Sequence, residues 1–209
     1  MLYQHTATSA ICDLLACFLL ADKHRYAVTT ERFLNEYQRS EFPRRVSAMD
    51  EAEPGFAKAF YKMEQRLLVH GGRAVVPLAE RLTSISALLE RAVVDASSRV
   101  QLNVMQESKC HANSAKLWAE SLGTVKLMSG YALSNDGLWR QHSWVIDATG
   151  IVETTEVRDA YFGVELTLQD SVVMLVANHD TADISSEVFE SEFWSEHLTA
   201  VLLQLYKDL

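Results

Sequence analysis

The sequence predicts an α+β protein: a helical N-terminal half packed on a core of one helix and a small antiparallel sheet, followed by a C-terminal helix. Three observations predict it. Apolar residues recur at helical spacing through most of the first hundred positions, the period changes to two after Gly123, and helical phase returns from about Ile184. With 209 residues, 3 prolines and 8 glycines, the chain has no low-complexity linker. It reads as a single domain, 1–209, with 1–100 the helical portion and 101–209 the α+β core.

Ile11, Leu14, Leu15, Phe18 and Leu19 phase a first helix between Thr6 and Lys23. Phe33, Leu34 and Tyr37 phase a second from about Thr29 to Tyr37, with Thr29 or Thr30 as its cap. Ser40 to Pro54 is polar and charge-mixed, contains Pro43 and Pro54, and reads as a connection. Phe56, Phe60, Met63, Leu67 and Leu68 carry a third helix over Gly55 to Val69, which Gly71-Gly72 stops. Leu78, Leu82, Ile85, Leu88, Leu89 and Val93 form the stripe of a fourth helix from Val75 to about Val94, where Pro77 is tolerable only in the first turn. No glycine falls between Gly72 and Gly123, so no domain boundary is expected before the helix that Cys110 opens.

Beyond Gly123, the alternation of Val125, Leu127, Ser129 and Tyr131 suits a strand. Asn135-Asp136-Gly137 turns the chain into a second strand, Trp139 to Asp147. Asp147-Ala148-Thr149-Gly150 turns it again into a third, Ile151 to Val157, and the three make an antiparallel meander. Val164 to Leu168 adds a further strand, while Ser171 to Ala177 fits either a strand or a buried helix. Phe189, Phe193, Leu198, Leu202 and Leu205 phase the last helix, Ile184 to Leu205.

Composition narrows the function. A net charge of -9 argues against a sequence-independent grip on nucleic acid and against an anionic membrane surface. The longest apolar run, Leu14 to Ala21, is too short to span a bilayer, and no basic residue precedes it as in a secretory signal. A cytoplasmic location is the expectation. The 3 cysteines, Cys12, Cys17 and Cys110, do not form a disulfide framework. Cys12 and Cys17 lie in an apolar helical run as small hydrophobes, whereas Cys110 stands among Ser108, Lys109, His111 and Asn113.

That setting points to chemistry. A helix N-terminus and a nearby imidazole both favour the thiolate, the reactive form of cysteine. Cys110 precedes the amphipathic segment Ala115, Leu117, Trp118, Leu122, and His142 opens a strand whose alternation puts His142, Trp144 and Ile146 on one face. Ser143, Val145 and Asp147 take the other face. A third group should orient the imidazole. Asp147 lies on the wrong face and at a turn. Glu153 shares the face of His142 if Ala148-Thr149 is a two-residue loop, and pairs with Val145 if Gly150 forms a bulge. Glu153 is the favoured acid and Asp147 the second.

The order of cysteine on a helix, histidine at a strand start and acid after the next turn resembles the papain-like superfamily, in particular its transglutaminase-like branch. There a His-Ala-Trp strand is followed by a turn and an Asp-Pro-Thr. His142-Ser143-Trp144 and Glu153-Thr154-Thr155 occupy those places, with Cys110 as nucleophile, over residues 105–160. The departures are Glu for Asp, no Pro, and His111 where the family has Trp after the nucleophile. The resemblance implies a papain/transglutaminase-like core and a cysteine-dependent amide hydrolase or acyl transferase working through a thioester: a peptidase, a deamidase or a transglutaminase-type enzyme on a protein or peptide substrate. Cys110 would attack a carbonyl carbon, His142 would move the proton, and the Cys110 backbone N–H would supply part of an oxyanion hole.

Gln106 and Gln141 are side-chain candidates for the second oxyanion donor, and Asn113 and His111 for orienting the site, although His111 points away from its neighbour in ordinary helical geometry. Trp139 and Tyr131 either wall a substrate cleft or simply pack. No Cys-x-x-Cys, His-Glu-x-x-His or Gly-rich phosphate motif is present, so neither a metal nor a cofactor is expected. The competing reading is a non-catalytic interaction protein on the same scaffold, with Glu187, Glu190, Glu192 and Glu196 of the last helix meeting a basic partner or only solvent.

Overall fold

The structure, a computed structural model, describes residues 34–78, 84–96 and 99–178. The expected helices of Thr6 to Lys23 and Ile184 to Leu205, with Cys12, Cys17 and the four glutamates, lie outside the described residues, as does most of Thr29 to Tyr37. Among the described residues are five helices and seven strands. The chain divides into two compact units, the first holding the described residues up to Pro77 together with Asp136–Trp139, the second the remainder.

In the first unit, α1 spans Glu36–Ala52. Asn35 caps it, its side chain accepting from the Gln38 N–H at 2.7 Å while its own N–H donates to Gln38 Oε1 at 3.2 Å. Ser40 to Pro54 is therefore mostly helix, not a connection. Pro43 lies inside it, and the chain tolerates it because α1 is largely exposed and water can reach the carbonyl that loses its partner. Asp50 Oδ1 then accepts from the N–H groups of Gly55 (3.0 Å) and Ala57 (2.9 Å), tying the end of α1 to the start of α2, Phe56–Leu68. Phe56, Phe60, Met63 and Leu67 form the buried stripe of α2. Gly71 and Gly72 carry positive φ angles and turn the chain into β1, Ala74–Val75. β1 runs parallel to Leu138–Trp139, and the Trp139 indole N–H donates to the Gly71 carbonyl at 2.9 Å.

The second unit departs most from expectation. The helix expected over Val75 to Val94 is absent as such. Val76 precedes Pro77, a position biased toward extended backbone, and Val75 accordingly belongs to β1. Among the described residues of that span are the short helix α3, Ile85–Arg91, and the strand β2, Val93–Asp95. β3 is Val100–Leu102 and α4 is Cys110–Glu120. Then come β4 (Lys126–Leu133), β5 (Leu138–Asp147, its first two residues belonging to the first unit), β6 (Gly150–Glu153), β7 (Ala160–Glu165) and α5 (Leu168–Ala177).

These strands form a mixed sheet in the order β2-β7-β4-β5-β6-β3. β2 is antiparallel to β7, and β3 is parallel to β6. The expectation of a helical half on a small antiparallel sheet, with a papain/transglutaminase-like core of one helix, is thus overturned: strands arise within the first hundred residues and the sheet is larger and mixed. The physical reason is pairing at long sequence separation. A three-residue strand has too few positions to show a period, and β2 is defined only by its partner Tyr161–Gly163.

α4 and α5 bury Ala115, Trp118, Ala119, Val172, Met174 and Leu175 with Leu127, Val145 and Val152 of the sheet. A second cluster joins Ala132, Trp144, Ile151 and Tyr161. Gly130 and Gly163 face each other on β4 and β7. A Cβ on Gly163 would lie 2.5 Å from Trp144 Cη2, so the missing side chain is what lets the indole lie down there.

Candidate active site

Cys110 is the first residue of α4 and a free thiol, partly buried. Ser108 holds a left-handed φ of 59°, uncommon for serine, and Lys109 caps the helix without a side-chain bond. The first intrahelical bond runs from Asn113 N–H to the Lys109 carbonyl at 2.8 Å, so the N–H groups of Cys110, His111 and Ala112 have no acceptor within the helix. Asn113 is buried and its side-chain N–H donates to the Gln106 carbonyl at 2.7 Å, holding the approach loop against the helix. Ser114 Oγ donates to the Ser143 carbonyl at 3.0 Å, one turn after the cysteine, and registers α4 against β5.

His142 lies in β5 and is buried to 2% exposure. Its Nε2 is 2.7 Å from Glu153 Oε2, which leaves Nδ1 as the ring nitrogen for a second partner. The Trp144 ring stacks along the imidazole at 6.2 Å, and Tyr161 leans on it at 6.3 Å. The β5–β6 ladder pairs Asp147 with Gly150 across the two-residue loop Ala148-Thr149 and ends at Val145–Val152. One further step sets Glu153 opposite Trp144, which puts it on the face of His142.

Glu153 is fully buried, with every side-chain oxygen engaged. Besides the imidazole, Oε2 accepts from the Tyr161 hydroxyl at 3.1 Å. Oε1 accepts from the N–H groups of Thr154 (2.8 Å) and Thr155 (3.0 Å) and from Thr155 Oγ1 (3.0 Å). A carboxylate so supplied with donors stays ionised without solvent. Burial pushes its pKa up, but the His142 contact and these donors outweigh burial and hold it below the usual value.

The cysteine and histidine shift in opposite directions. Burial pushes the Cys110 thiol up, but hydrogen bonds with His111 and His142, and the charges of both, bring it down to about 5. Burial lowers His142, but bonding to Cys110 and Glu153 raises it to about 9. Between those values the pair is a thiolate beside an imidazolium, coupled so that each charge sustains the other.

His111 Nδ1 is 2.8 Å from Ser143 Oγ of β5. His142 and Ser143 are neighbours on a strand and project to opposite faces. His111 and Ser114 both bond Ser143, which registers the start of α4 against β5 beyond the end of the β6 ladder.

The remaining candidates have other places. Asp147 Oδ1 accepts from Thr149 N–H, Thr149 Oγ1 and Gly150 N–H, so this carboxylate caps the hairpin turn. Gln106 is exposed and Gln141 half-buried. Tyr131 and Trp139 are fully buried. Tyr131 has a hydroxyl without a hydrogen-bond partner, and burial pushes its ionisation up. Tyr161, Thr155 and Ser143 escaped sequence reasoning. Tyr161 meets Glu153 only through strand pairing, and no local spacing announces it.

Among the described residues no cluster of His, Cys, Asp and Glu has the makings of a metal site, and no helix is long and apolar enough to cross a membrane. No protein-family model matches this sequence, and comparison with curated proteins and with solved structures finds no match.

Proposed function

We propose that this protein is a cysteine-dependent amide hydrolase or acyl transferase, with Cys110 as nucleophile, His142 as general acid and base, and Glu153 as the carboxylate that orients the imidazole. One observation carries the reading: the buried His142 ring is anchored at Nε2 by Glu153, 2.7 Å away, on the stretch of β5 to which the helix opened by Cys110 is tied through the Ser114–Ser143 bond. A structural histidine needs a partner for its ring, but it does not need a thiol on one side and a fully solvated-in-protein carboxylate on the other. The chain order of the three groups supports likeness in chemistry to the transglutaminase-like branch of the papain-like superfamily, with Glu153-Thr154-Thr155 where that branch has Asp-Pro-Thr.

In this reading the Cys110 thiolate adds to the carbonyl carbon of an amide, forming the C–S bond and moving the π pair to oxygen. The N–H groups of the first turn of α4 lie where a helix N-terminus favours negative charge. The imidazolium of His142 gives its proton to the leaving nitrogen as the C–N bond breaks, leaving a thioester and neutral imidazole. Water or an acceptor amine then loses its proton to His142 and attacks, and collapse returns the thiolate. A protein or peptide is the proposed substrate, and the cytoplasm the proposed setting, where thiols remain reduced.

The test is acyl transfer to Cys110. The full chain is incubated with p-nitrophenyl esters and glutamine-containing peptides, with and without a primary amine, and the protein is read by intact mass and peptide mapping. An acyl adduct on Cys110 that is absent from Cys110→Ala and slow in His142→Ala is the expected result. Release of product at the same rate from wild type and Cys110→Ala, with no adduct on any substrate, sinks the proposal.

A further inference from the structure

The two edges of the sheet are built differently. Among the described residues, β2 and β3 are its outermost strands. β2, Val93–Asp95, is brief, closely follows Arg91 and ends on Asp95, and a short strand with charges about it resists pairing with another chain. The β3 edge has no such guard. From Val100 to Met105 the chain reads Val-Gln-Leu-Asn-Val-Met, without a charge or a proline, and Gln101, Leu102, Asn103 and Val104 are all exposed.

β6 uses only alternate residues of this run. Ile151 N–H donates to the Arg99 carbonyl at 2.9 Å, and the N–H groups of Asn103 and Met105 donate to the Glu153 and Thr154 carbonyls at 2.8 and 2.9 Å. Backbone groups of successive residues in a strand point to opposite sides, so those of Val100, Leu102 and Val104 point away from β6, out of the sheet. The edge also leads to the site. β3 runs parallel to β6, and Leu102 stands level with Glu153, the carboxylate that anchors His142. By alternation Leu102 shares their face, where Val100 already packs against the cluster of Trp144, Ile151 and Tyr161. Past Met105, the connection Gln106 to Lys109 is pinned by the Asn113 side chain at the Gln106 carbonyl and opens α4 at Cys110.

We propose that β3 is the docking edge for the substrate: an extended polypeptide segment adds to the sheet beside Val100, Leu102 and Val104 and is led along it toward Cys110. The hold comes from main-chain N–H and C=O groups, which every peptide possesses, while the exposed side chains of Leu102 (46%) and Val104 (69%) offer apolar contact to alternate residues of the guest. The substrate class is a protein with an extended stretch and basic flanks, which the net charge of -9 attracts. This inference rests on Cys110 as nucleophile for the fate of the bound strand, but docking is measured without turnover.

The experiment uses the full chain as Cys110→Ala, which forms no adduct on that residue, and a fluorescein-labelled peptide of alternating valine and threonine with a central glutamine and a lysine at each end. Saturable binding by anisotropy is expected. Hydrogen exchange by NMR should show the Leu102 and Val104 amides fast in the free protein and slowed on the order of tenfold by saturating peptide. Leu102→Pro and Val104→Pro each delete an outward N–H without touching a bond to β6, and should weaken binding about fivefold, the effect of one net hydrogen bond. Leu102→Thr and Val104→Thr keep the backbone and should weaken it less; equal losses assign the hold to side chains and overturn strand addition. Absence of saturable binding, or binding that leaves both amides fast, also overturns it, and neither reading needs an edge variant to fold. Slow exchange of those amides before peptide is added overturns it too, the edge then being paired with the chain's own segment or, if sedimentation finds a dimer that Leu102→Pro dissociates, with a second copy. Docking without any acyl adduct on wild-type Cys110 strikes the hydrolase reading alone, and an adduct without docking strikes only this one.

Discussion

Glu153→Gln changes one atom of the site and tests most of it. The amide keeps the size of the carboxylate, but it has one acceptor end and one donor end. In the folded protein Oε2 accepts from His142 and Tyr161, and Oε1 accepts from Thr154, Thr155 and the Thr155 hydroxyl. Whichever way the amide turns, its NH2 meets two or three donors. Leaving buried groups unpaired costs about 1–3 kcal/mol each, so a loss of at least about 2 kcal/mol of stability is expected by urea unfolding. The charge effect is separate. A hydrogen bond to a charged group contributes about 1.5–3 kcal/mol, and at about 1.36 kcal/mol per pKa unit its loss lowers the His142 ring by roughly one to two units. A less persistent imidazolium holds the thiolate less well, so the Cys110 midpoint rises from about 5. The sign with pH also follows. The pKa of Glu153 is depressed by folding, so its contribution is present above the ordinary carboxylate value and lost as pH falls through the folded one. Wild type and Glu153→Gln should therefore converge in stability on acidification. The assay is the pH profile of Cys110 alkylation beside urea unfolding at two pH values. An unchanged alkylation profile in a folded Glu153→Gln protein refutes the link from Glu153 through His142 to the sulfur.

Other outcomes are expected from the same geometry. Reactivity that needs thiolate and imidazolium together should rise through about pH 5 and fall through about pH 9, a bell read from the rate of acyl transfer, and a single rise near the ordinary cysteine value contradicts it. Tyr161→Phe removes the 3.1 Å bond to Glu153 and should cost about 0.5–1.5 kcal/mol of stability by urea unfolding. Gly163→Ala drives a Cβ to 2.5 Å from Trp144 Cη2, and overpacking of about 1–3 kcal/mol is expected in thermal unfolding, with slowed alkylation because Trp144 stacks on His142. Asp147→Ala removes the turn acceptor and should cost about 1 kcal/mol while leaving the Cys110 profile where it was; a shifted profile assigns Asp147 to the site.

Some of this was legible in the residues alone because local rules govern it. α2 shows its stripe of Phe56, Phe60, Met63 and Leu67 at helical spacing, and Gly71-Gly72 ends it because paired glycines accept positive φ. Cys110 stood out by its polar neighbours and the amphipathic segment after it, His142 by its alternation with Trp144, and Glu153 by a turn count that left two registers open. The two-residue turn that the structure contains is fixed by which donors Asp147 Oδ1 accepts from, a contact no pattern encodes.

What the local rules missed, tertiary pairing decided. Proline arguments read Ser40 to Pro54 as a connection, yet an exposed α1 lets water serve the carbonyl that Pro43 strands. The stripe from Leu78 to Val93 imitated one helix, while Val93–Asp95 gained more by pairing with β7. His111 meets Ser143, on a strand distant in sequence, across a 2.8 Å hydrogen bond that no local spacing announces. By itself the sequence determined which side chains are chemically able to form the site and roughly which elements bear them. Only the tertiary structure decided that they meet, because hydrogen-bond partners such as Tyr161 for Glu153 and Ser143 for His111 are set by strand register and helix placement rather than by neighbours in the chain.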